Sequence, residues 1–151
     1  MTTPGPGPTS VADCRLVELP RIEQDNGSLT AVHGEIDVPF RIARVFYVYD
    51  VVGGAVRGGH AHIRLEQFVV AVMGSVTVEV DDGASRRSFE LNRAYRGLYI
   101  PTHIWADLVN FSSGAVAVVL ASLPFDESEY IRDHERFQSH RRSLSEGLGP
   151  G

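Results

Sequence analysis

Hydrophobic and polar residues alternate in short runs along most of this chain, and glycine, proline and asparagine interrupt these runs at close intervals. Alternation with a period of two is typical of β-strands, because successive side chains point to opposite faces of a strand. The pattern predicts roughly nine or ten strands joined by tight turns. The clearest of them span residues 14–19, 28–32, 44–49, 67–72, 75–80, 86–91, 97–100, 105–110 and 115–121.

One segment near the end of the chain has helical periodicity instead. Residues 126–137 begin with an acidic turn and carry apolar residues at helical spacing, so we expect one short helix there. The two ends of the chain are polar or rich in glycine and proline. We therefore expect residues 1–10 and 138–151 to be flexible tails around a single domain that spans residues 11–137.

Many short strands followed by one late helix predict an all-β architecture, in which the strands close into a jelly roll or a small barrel. Residues 115–121 are almost wholly apolar, as expected of a strand that is buried on both faces. A closed β-structure has an interior that the side chains of alternate positions reach. Polar side chains that point into this interior are the candidates for chemistry.

The composition limits the functions that such a barrel can have. The chain has 151 residues, 43% of them hydrophobic, with one cysteine and a formal net charge of −5. These values favour one globular domain with no nucleic-acid partner, and no apolar run approaches the roughly 18 residues of a membrane span. The lone Cys14 excludes an internal disulfide, and we expect a cytoplasmic protein.

The strongest chemical signal is the sequence RGGHAH at positions 57–62. In a strand, residues two apart share a face, so His60 and His62 point the same way while Ala61 points the other way. The two glycines leave room for a bend or for a close ligand, and Arg57 adds a permanent positive charge. The segment predicts chemistry on a small anionic molecule.

The spacing around these histidines resembles the first sequence motif of the cupins. The matching residues are Gly54, His60, His62, Glu66 and Gly74, with one spacing that differs by a single residue. The resemblance implies a cupin-type jelly-roll barrel with its site at the two histidines.

In metal-binding cupins, those two histidines and the glutamate are ligands, together with a histidine from a second motif. Here the second motif falls near residues 97–107, where Ala106 occupies the position of the last histidine and His103 lies nearby. The comparison implies an incomplete set of metal ligands. We therefore expect no metal or other cofactor, and we interpret Glu66 as the start of the next strand.

A further set of motifs resembles the nucleotide-sugar 3,4-ketoisomerases, a cupin family, from about residue 16 to residue 137. The motifs are RVFY at 44–47, RGxHAH at 57–62, LEQ at 65–67, GLY at 97–99, Trp105, FSS at 111–113, LAS at 120–122 and DExxYIR at 126–132. One departure is Phe46, which stands where some relatives carry a tyrosine. The resemblance implies a metal-independent isomerase of dTDP-4-keto-6-deoxyglucose in deoxysugar biosynthesis, and a homodimer that exchanges N-terminal strands.

Moving the carbonyl from C4 to C3 requires a base that takes the C3 proton, an enediol or enediolate, and the return of a proton to C4. Histidine, with an ordinary pKa of about 6.5, suits this role at neutral pH. We expect His60 to act at carbon and His62 to move protons between O3 and O4. Arg57 or Tyr47 then stabilises the oxygens of the enediolate. Tyr47 is equally suited to packing against Tyr49 on the same face.

The same resemblance implies which residues contact the substrate. They are Arg44, Gly59, Arg64, Gln67, Tyr99 and Trp105. Two interpretations of Trp105 remain open, since an indole either stacks on the thymine ring or fills the core.

Two other classes of function remain open at the level of sequence. A metal-dependent cupin enzyme, such as a dioxygenase, needs Glu66 and a replacement ligand such as His103 beside the histidine pair. A cupin without catalytic activity binds the nucleotide sugar only. Metal analysis separates the first alternative from the isomerase, and a turnover assay separates the second.

Overall fold

The structure, a computed structural model, describes residues 8–147 of the chain. These residues form twelve strands, one α-helix and two single-turn 3-10 helices. The strands are β1 (Arg15–Glu18), β2 (Ile22–Gln24), β3 (Gly27–Leu29), β4 (Arg44–Val48), β5 (Arg57–His62), β6 (Gln67–Met73), β7 (Val76–Asp81), β8 (Arg86–Leu91), β9 (Arg96–Ile100), β10 (Trp105–Val109), β11 (Val116–Ala121) and β12 (Tyr130–Ile131). The helix α1 spans His134–Gly147.

Two five-stranded antiparallel sheets make up the body of the protein. The first sheet has the order β1-β9-β6-β11-β4 and the second the order β12-β5-β10-β7-β8, while β2 and β3 form a separate hairpin. Inner-face side chains of both sheets meet in one core, which joins Val69 and Val119 of the first sheet to Val78 and Leu108 of the second. The predicted all-β jelly-roll barrel with a C-terminal helix is confirmed.

Strand β7 illustrates how the alternation in the sequence produces this core. Val76, Val78 and Val80 point inward and are almost wholly buried, whereas Thr77 and Glu79 face the other side of the sheet. Burying each branched side chain contributes about 1.5–3 kcal/mol. A shift of one residue in the register of β7 would expose all three valines, which is why the pattern specifies the pairing.

Apolar side chains of strand β11 pack on both faces of its sheet, as its sequence predicts. Val119 packs in the core between the sheets. Leu120 points to the opposite face, where it belongs to a second apolar cluster with Val38 and Phe40. The long segment between β3 and β4 supplies this second layer.

The predicted helix at residues 126–137 is wrong in its bounds. Asp126 instead caps a single 3-10 turn at Glu127–Glu129, and β12 follows it at the edge of the second sheet. Helix α1 begins only after Asp133, whose carboxylate accepts a hydrogen bond from the backbone N–H of Glu135 at 2.8 Å. An aspartate before the first turn satisfies N–H groups that have no partner within the helix. The helical spacing of the sequence was therefore a poor guide to the start of the helix.

The predicted flexible tail at residues 138–151 is also wrong as far as Gly147, because α1 continues through this polar segment. The Arg141 guanidinium donates hydrogen bonds to the Thr9 hydroxyl and to the His103 carbonyl, both at 3.1 Å. These bonds tie the helix to the barrel although the segment buries few apolar side chains. Residues 148–151 lie outside the described residues.

The predicted N-terminal tail at residues 1–10 is described only from residue 8. Within that part, the Ser10 side chain caps the 3-10 turn Val11–Asp13. The remainder, residues 1–7, lies outside the described residues. Among the described residues, no helix is long and apolar enough to cross a membrane.

Candidate active site

A β-bulge in the second sheet sets the direction of β5, the strand that carries His60 and His62. The register between β5 and β10 shifts at Ala106 and Asp107, so that Ala106 pairs with His60 and Asp107 with Gly58. Gly58 and Gly59 both have positive φ, at 92° and 69°. A Cβ on Gly58 would lie 2.9 Å from the Ala106 carbonyl oxygen, so the bulge requires glycine there.

Beyond the bulge, His60 and His62 share one face of β5, as the alternation predicts. Their ring centroids lie 4.8 Å apart. His60 is half-buried, whereas His62 is only 4% exposed. The Nδ1 atoms of both rings are buried, and neither has a hydrogen-bond partner among the described residues. A buried polar atom without a partner costs about 1–3 kcal/mol, which is typical of a site that waits for a ligand.

Burial sets the protonation state of both imidazoles. It lowers the pKa of His60 below its ordinary value of 6.5. It also lowers the pKa of His62 to about 3, with His60 and Arg44 nearby adding to the effect. Both rings are therefore neutral at pH 7, and a neutral imidazole is the form that accepts a proton.

A cleft of about 660 Å³ opens beside His60, a volume within the usual range for small-ligand sites. Three arginines border it, namely Arg44, Arg57 and Arg132, whereas Asp50 is its one acidic lining residue within the described chain. This excess of positive charge suits an anionic ligand. A smaller cavity of about 100 Å³, bordered by His60 and Gln67, continues into the barrel.

Sequence analysis missed Tyr130 of β12 as a site residue. Its ring centroid lies 4.9 Å from that of His60 and 4.4 Å from that of His62. Its hydroxyl oxygen accepts a hydrogen bond from Arg44 Nη1 at 3.1 Å. The pairing of Tyr130 with His62 across β12 and β5 creates this contact, and the motif around residue 130 was the one available signal.

Four of the candidate residues from the sequence line the cleft or the inner cavity. His60 and Arg57 border both the cleft and the inner cavity. Arg44 reaches in from the inner face of β4, where its guanidinium lies 4.4 Å from the Phe46 ring centroid. Gln67 is buried and faces the inner cavity. Their shared surface can hold a sugar next to an imidazole base.

Other candidates lie on different faces of the barrel. Tyr47 is 62% exposed at the rim of the cleft, on the opposite face of β4 from Phe46, with its ring centroid 5.8 Å from that of Tyr49. Gly59 faces Asp107 at the bulge. Arg64 pairs instead with buried Glu129, at 2.9 Å. None of these three residues places a side chain against the imidazoles.

Two aromatic candidates are core residues. Tyr99 donates its hydroxyl hydrogen bond to Glu66 and stacks on Phe40, outside the first sheet. Trp105 packs beneath α1, with its ring centroid 5.7 Å from that of Phe137. Of the two interpretations of Trp105, the structure favours the packing role.

The residues required by a metal-dependent cupin do not meet. Glu66 accepts from Tyr99, and its backbone N–H donates to Ser122 Oγ at 2.8 Å. The His103 ring instead contacts His140, with Nδ1 and Nε2 2.8 Å apart. Within residues 8–147, no group of three or more His, Cys, Asp or Glu side chains is arranged to hold a metal ion.

Comparison with known proteins gives a consistent result. The family model described as "FdtA: WxcM-like, C-terminal" matches residues 12–142. A TDP-4-oxo-6-deoxy-alpha-D-glucose-3,4-oxoisomerase from Aneurinibacillus thermoaerophilus is 37% identical over 126 residues, which cover 83% of this chain and 91% of the relative.

Solved structures agree with the sequence comparison. The sugar 3,4-ketoisomerase QdtA from Thermoanaerobacterium thermosaccharolyticum, in complex with TDP, is 33% identical and superimposes with a TM-score of 0.85, covering 89% of this chain and 98% of that one. A histidine-to-asparagine mutant of QdtA, solved with TDP-4-keto-6-deoxyglucose, is also 33% identical and gives a TM-score of 0.84, with 87% and 95% of the two chains covered.

Proposed function

Because this chain belongs to the FdtA family of WxcM-like, C-terminal domains, we propose that it is a sugar 3,4-ketoisomerase. Its substrate is dTDP-4-keto-6-deoxyglucose and its product a dTDP-3-keto-6-deoxyhexose, an intermediate of deoxysugar biosynthesis. Relatives named for this reaction support the proposal, and so do solved complexes with TDP and TDP-4-keto-6-deoxyglucose. The observation that carries it is a pair of neutral imidazoles whose Nδ1 atoms have no hydrogen-bond partner within the described residues, with His60 at an arginine-rich cleft.

His60 is the base in this proposal. Its neutral imidazole removes the C3 proton, the electrons of that bond form the C3–C4 double bond, and the C4 carbonyl oxygen gains negative charge. A proton passes from O3 to O4, the imidazolium returns its proton to C4 as the C3 carbonyl forms, and the imidazole is regenerated. Proton transfer to and from carbon needs no change of oxidation state in the enzyme, so the proposed mechanism uses no redox cofactor. In this proposal the base and the arginines act without a metal.

The arginines supply the charge complementarity. Arg57 borders both the cleft and the inner cavity next to His60, where a fixed positive charge stabilises the oxygens of the enediolate. Arg132 is held by Glu127 in a two-pronged ion pair, with N–O distances of 2.6 and 3.0 Å. Arg44 and Arg132 add positive charge to the same cleft, which suits the diphosphate of the nucleotide.

A turnover assay tests the proposed function. The purified protein is incubated with dTDP-4-keto-6-deoxyglucose, and the sugar is followed by NMR for the shift of the carbonyl from C4 to C3. Thermal melting with and without dTDP measures binding separately, since a ligand that binds only the folded state raises the melting temperature. Binding without turnover would favour the cupin that only binds a nucleotide sugar.

We further propose that two copies of the chain form a homodimer that exchanges N-terminal strands. The hairpin of β2 and β3 has no buried residue, and it leaves Ile22 55% and Leu29 57% exposed. Beside it lies a mostly apolar groove of about 410 Å³ on the outer face of the first sheet, with Val45 and Val118 in its lining. Strand β1 lies at the edge of that sheet. An edge strand has unpaired backbone groups that can bond to a strand of another copy.

Sedimentation of the full chain tests the dimer. Ile22→Glu and Leu29→Glu each put a charge on the hairpin and should shift the protein to monomer without a change in its circular dichroism. Ile36→Glu, at an exposed apolar residue outside the groove, is the matched control and should stay dimeric. A monomeric wild-type protein would contradict the proposal.

The expected cellular location remains part of the proposal. A nucleotide-linked sugar is a metabolite of the cytoplasm, and a chain with one cysteine needs no oxidising compartment. That cysteine, Cys14, is buried, and burial raises the pKa of its thiol to about 12.

A further inference from the structure

Tyr130 is the one tyrosine at the cleft that contacts both imidazoles. Within the described residues, Tyr47, Tyr49 and Tyr130 border this cleft. The first two pair with each other at the rim, whereas the Tyr130 ring lies against His60 and His62. The inward-facing aromatic residue of β4 is Phe46, which has no hydroxyl. Strand β4 therefore supplies no phenol from its inner face.

Positive charge surrounds the phenol. Arg44 donates a hydrogen bond to its oxygen, and the Arg132 guanidinium lies 4.4 Å from the centroid of its ring. The Arg44 side chain is itself fixed over the rings of Phe46 and Phe125, at 4.4 and 5.1 Å. A guanidinium on a phenol oxygen stabilises the negative charge that remains when the phenol gives up its proton. The geometry holds a proton donor beside the base at carbon.

We propose that Tyr130 is a catalytic residue that carries a proton between O4 and O3 of the sugar, an inference that rests on the proposed function. As His60 removes the C3 proton, the Tyr130 hydroxyl protonates O4, which gives a neutral enediol, a phenolate and an imidazolium. The phenolate then takes the O3 proton while the imidazolium returns its proton to C4. Both side chains end in their starting forms, and the net change is the isomerisation alone.

This assignment moves the oxygen-to-oxygen step from His62 to Tyr130. His62 is 4% exposed and lies outside the lining of the cleft, so the ring of Tyr130 stands nearer the space that a sugar fills. Burial lowers the pKa of His62 to about 3, so this imidazole is neutral at pH 7. His62 instead packs edge-on against Tyr130, with an angle of 68° between the rings, and positions the phenol.

The variant Tyr130→Phe tests the proposal, because it removes the hydroxyl and keeps the ring. We expect kcat to fall by about 10²-fold or more, with an unchanged melting curve and an unchanged shift on adding dTDP. Exchange of the C3 hydrogen with D₂O, followed by mass spectrometry of recovered substrate, should fall with turnover. The reason is that O4 must be neutralised as the C3 proton leaves.

Tyr95→Phe is the matched control. Tyr95 also lies under a guanidinium, that of Arg21 at 4.6 Å from its ring centroid, but it does not border the cleft. This variant should keep wild-type kcat.

Three results would overturn the assignment. They are a Tyr130→Phe enzyme with kcat within about threefold of wild type, a loss of turnover matched by a loss of dTDP binding, and wild-type C3 exchange without turnover. Absence of turnover in the wild-type protein would instead contradict the proposed function, so the two failures are distinguishable.

Discussion

Two pairs of histidines lie in this barrel, and their surroundings are opposite. His60 and His62 face the interior from β5, with Nδ1 atoms that have no partner within residues 8–147. His103 and His140 join the barrel to α1 outside the cleft, and their ring nitrogens lie 2.8 Å apart. Burial lowers the pKa of all four side chains.

A lowered pKa alone therefore does not identify the site in this protein. The pair His103 and His140 uses its ring nitrogens to hold two elements of the fold together. The pair His60 and His62 has Nδ1 atoms without a hydrogen-bond partner within the described residues, and His60 borders an arginine-lined cleft. A buried polar atom without a partner lowers stability. The difference teaches that the hydrogen-bond inventory separates a functional histidine pair from a structural one.

Replacing His60 should cause the largest loss of kcat among the four histidines. His60→Asn keeps a polar side chain of similar size but removes the base, so kcat should fall by about 10²–10⁴-fold. The melting temperature shift caused by dTDP should remain, because the arginines that line the cleft are intact. Turnover by this variant at the wild-type rate would show that His60 is not the base at carbon.

A smaller loss is expected at His62. In His62→Asn, the phenol of Tyr130 loses its edge-on neighbour but remains bonded to Arg44, so kcat should fall about tenfold. Exchange of the C3 hydrogen in D₂O should persist, because His60 is untouched. If exchange vanished here and survived in His60→Asn, the roles of the two histidines would be reversed.

The pH dependence should follow the neutral form of His60. Burial lowers its pKa from 6.5, so the base is fully active at pH 7 and loses activity only as the pH falls through that lowered value. We expect kcat/KM to be flat near neutral pH and then to fall about tenfold per pH unit on the acidic side. An acidic limb centred above pH 6.5 would contradict the assignment.

Folding must be monitored in the same titration. Burial lowers the pKa of His62 to about 3 and that of His103 to about 4 in the folded protein. Between these values and pH 6.5, both imidazoles are neutral in the folded protein but become protonated when the chain unfolds. Their contribution to stability is full above pH 6.5 and is lost as the pH falls towards those values. Circular dichroism at each pH separates this unfolding from the titration of the base.

Sequence reasoning found most of the barrel and the strand on which His60 and His62 share one face. The i and i+2 spacing of His60 and His62 in an extended segment was sufficient, because alternation depends only on neighbouring residues. The same rule explains a failure. Tyr47 comes directly after Phe46, so it faces the outside of β4 when Phe46 faces the inside.

The remaining errors involve contacts between distant segments. Tyr130 meets His62 only because the sheet places β12 beside β5, and no local pattern contains that pairing. Arg64 lies two residues beyond His62, yet the chain leaves the strand and Arg64 pairs with Glu129. The start of α1 was missed for the same reason. Tyr130 and Ile131 have helical spacing with later residues, but they form β12 at the edge of the second sheet.

The structural pair should respond in stability and not in catalysis. His140→Ala leaves Nδ1 of His103 without its partner and should lower the free energy of unfolding by about 1 kcal/mol. Urea unfolding measures this loss, and kcat should match the wild type. Gln138→Ala, at an exposed neighbour on α1, is the control for helix changes. A large loss of kcat in His140→Ala would contradict the purely structural role of the pair His103 and His140.

The smallest effect is expected from removing metal ions. The Glu66 carboxylate accepts a hydrogen bond from Tyr99, and the His103 ring contacts His140, so neither side chain completes a ligand set at His60 and His62. The enolisation proposed here proceeds through a base and a phenol, so prolonged dialysis against EDTA should leave kcat unchanged.

The His103 and His140 pair complicates this measurement, because two imidazoles 2.8 Å apart can capture a stray transition metal. Metal analysis before and after dialysis should therefore include His140→Ala, which lacks that pair. Metal found in the wild type but absent from an equally active His140→Ala is adventitious and leaves the mechanism intact. Loss of activity with EDTA in both proteins, restored by one particular metal, would instead make the cleft histidines ligands and reverse the contrast between the two pairs.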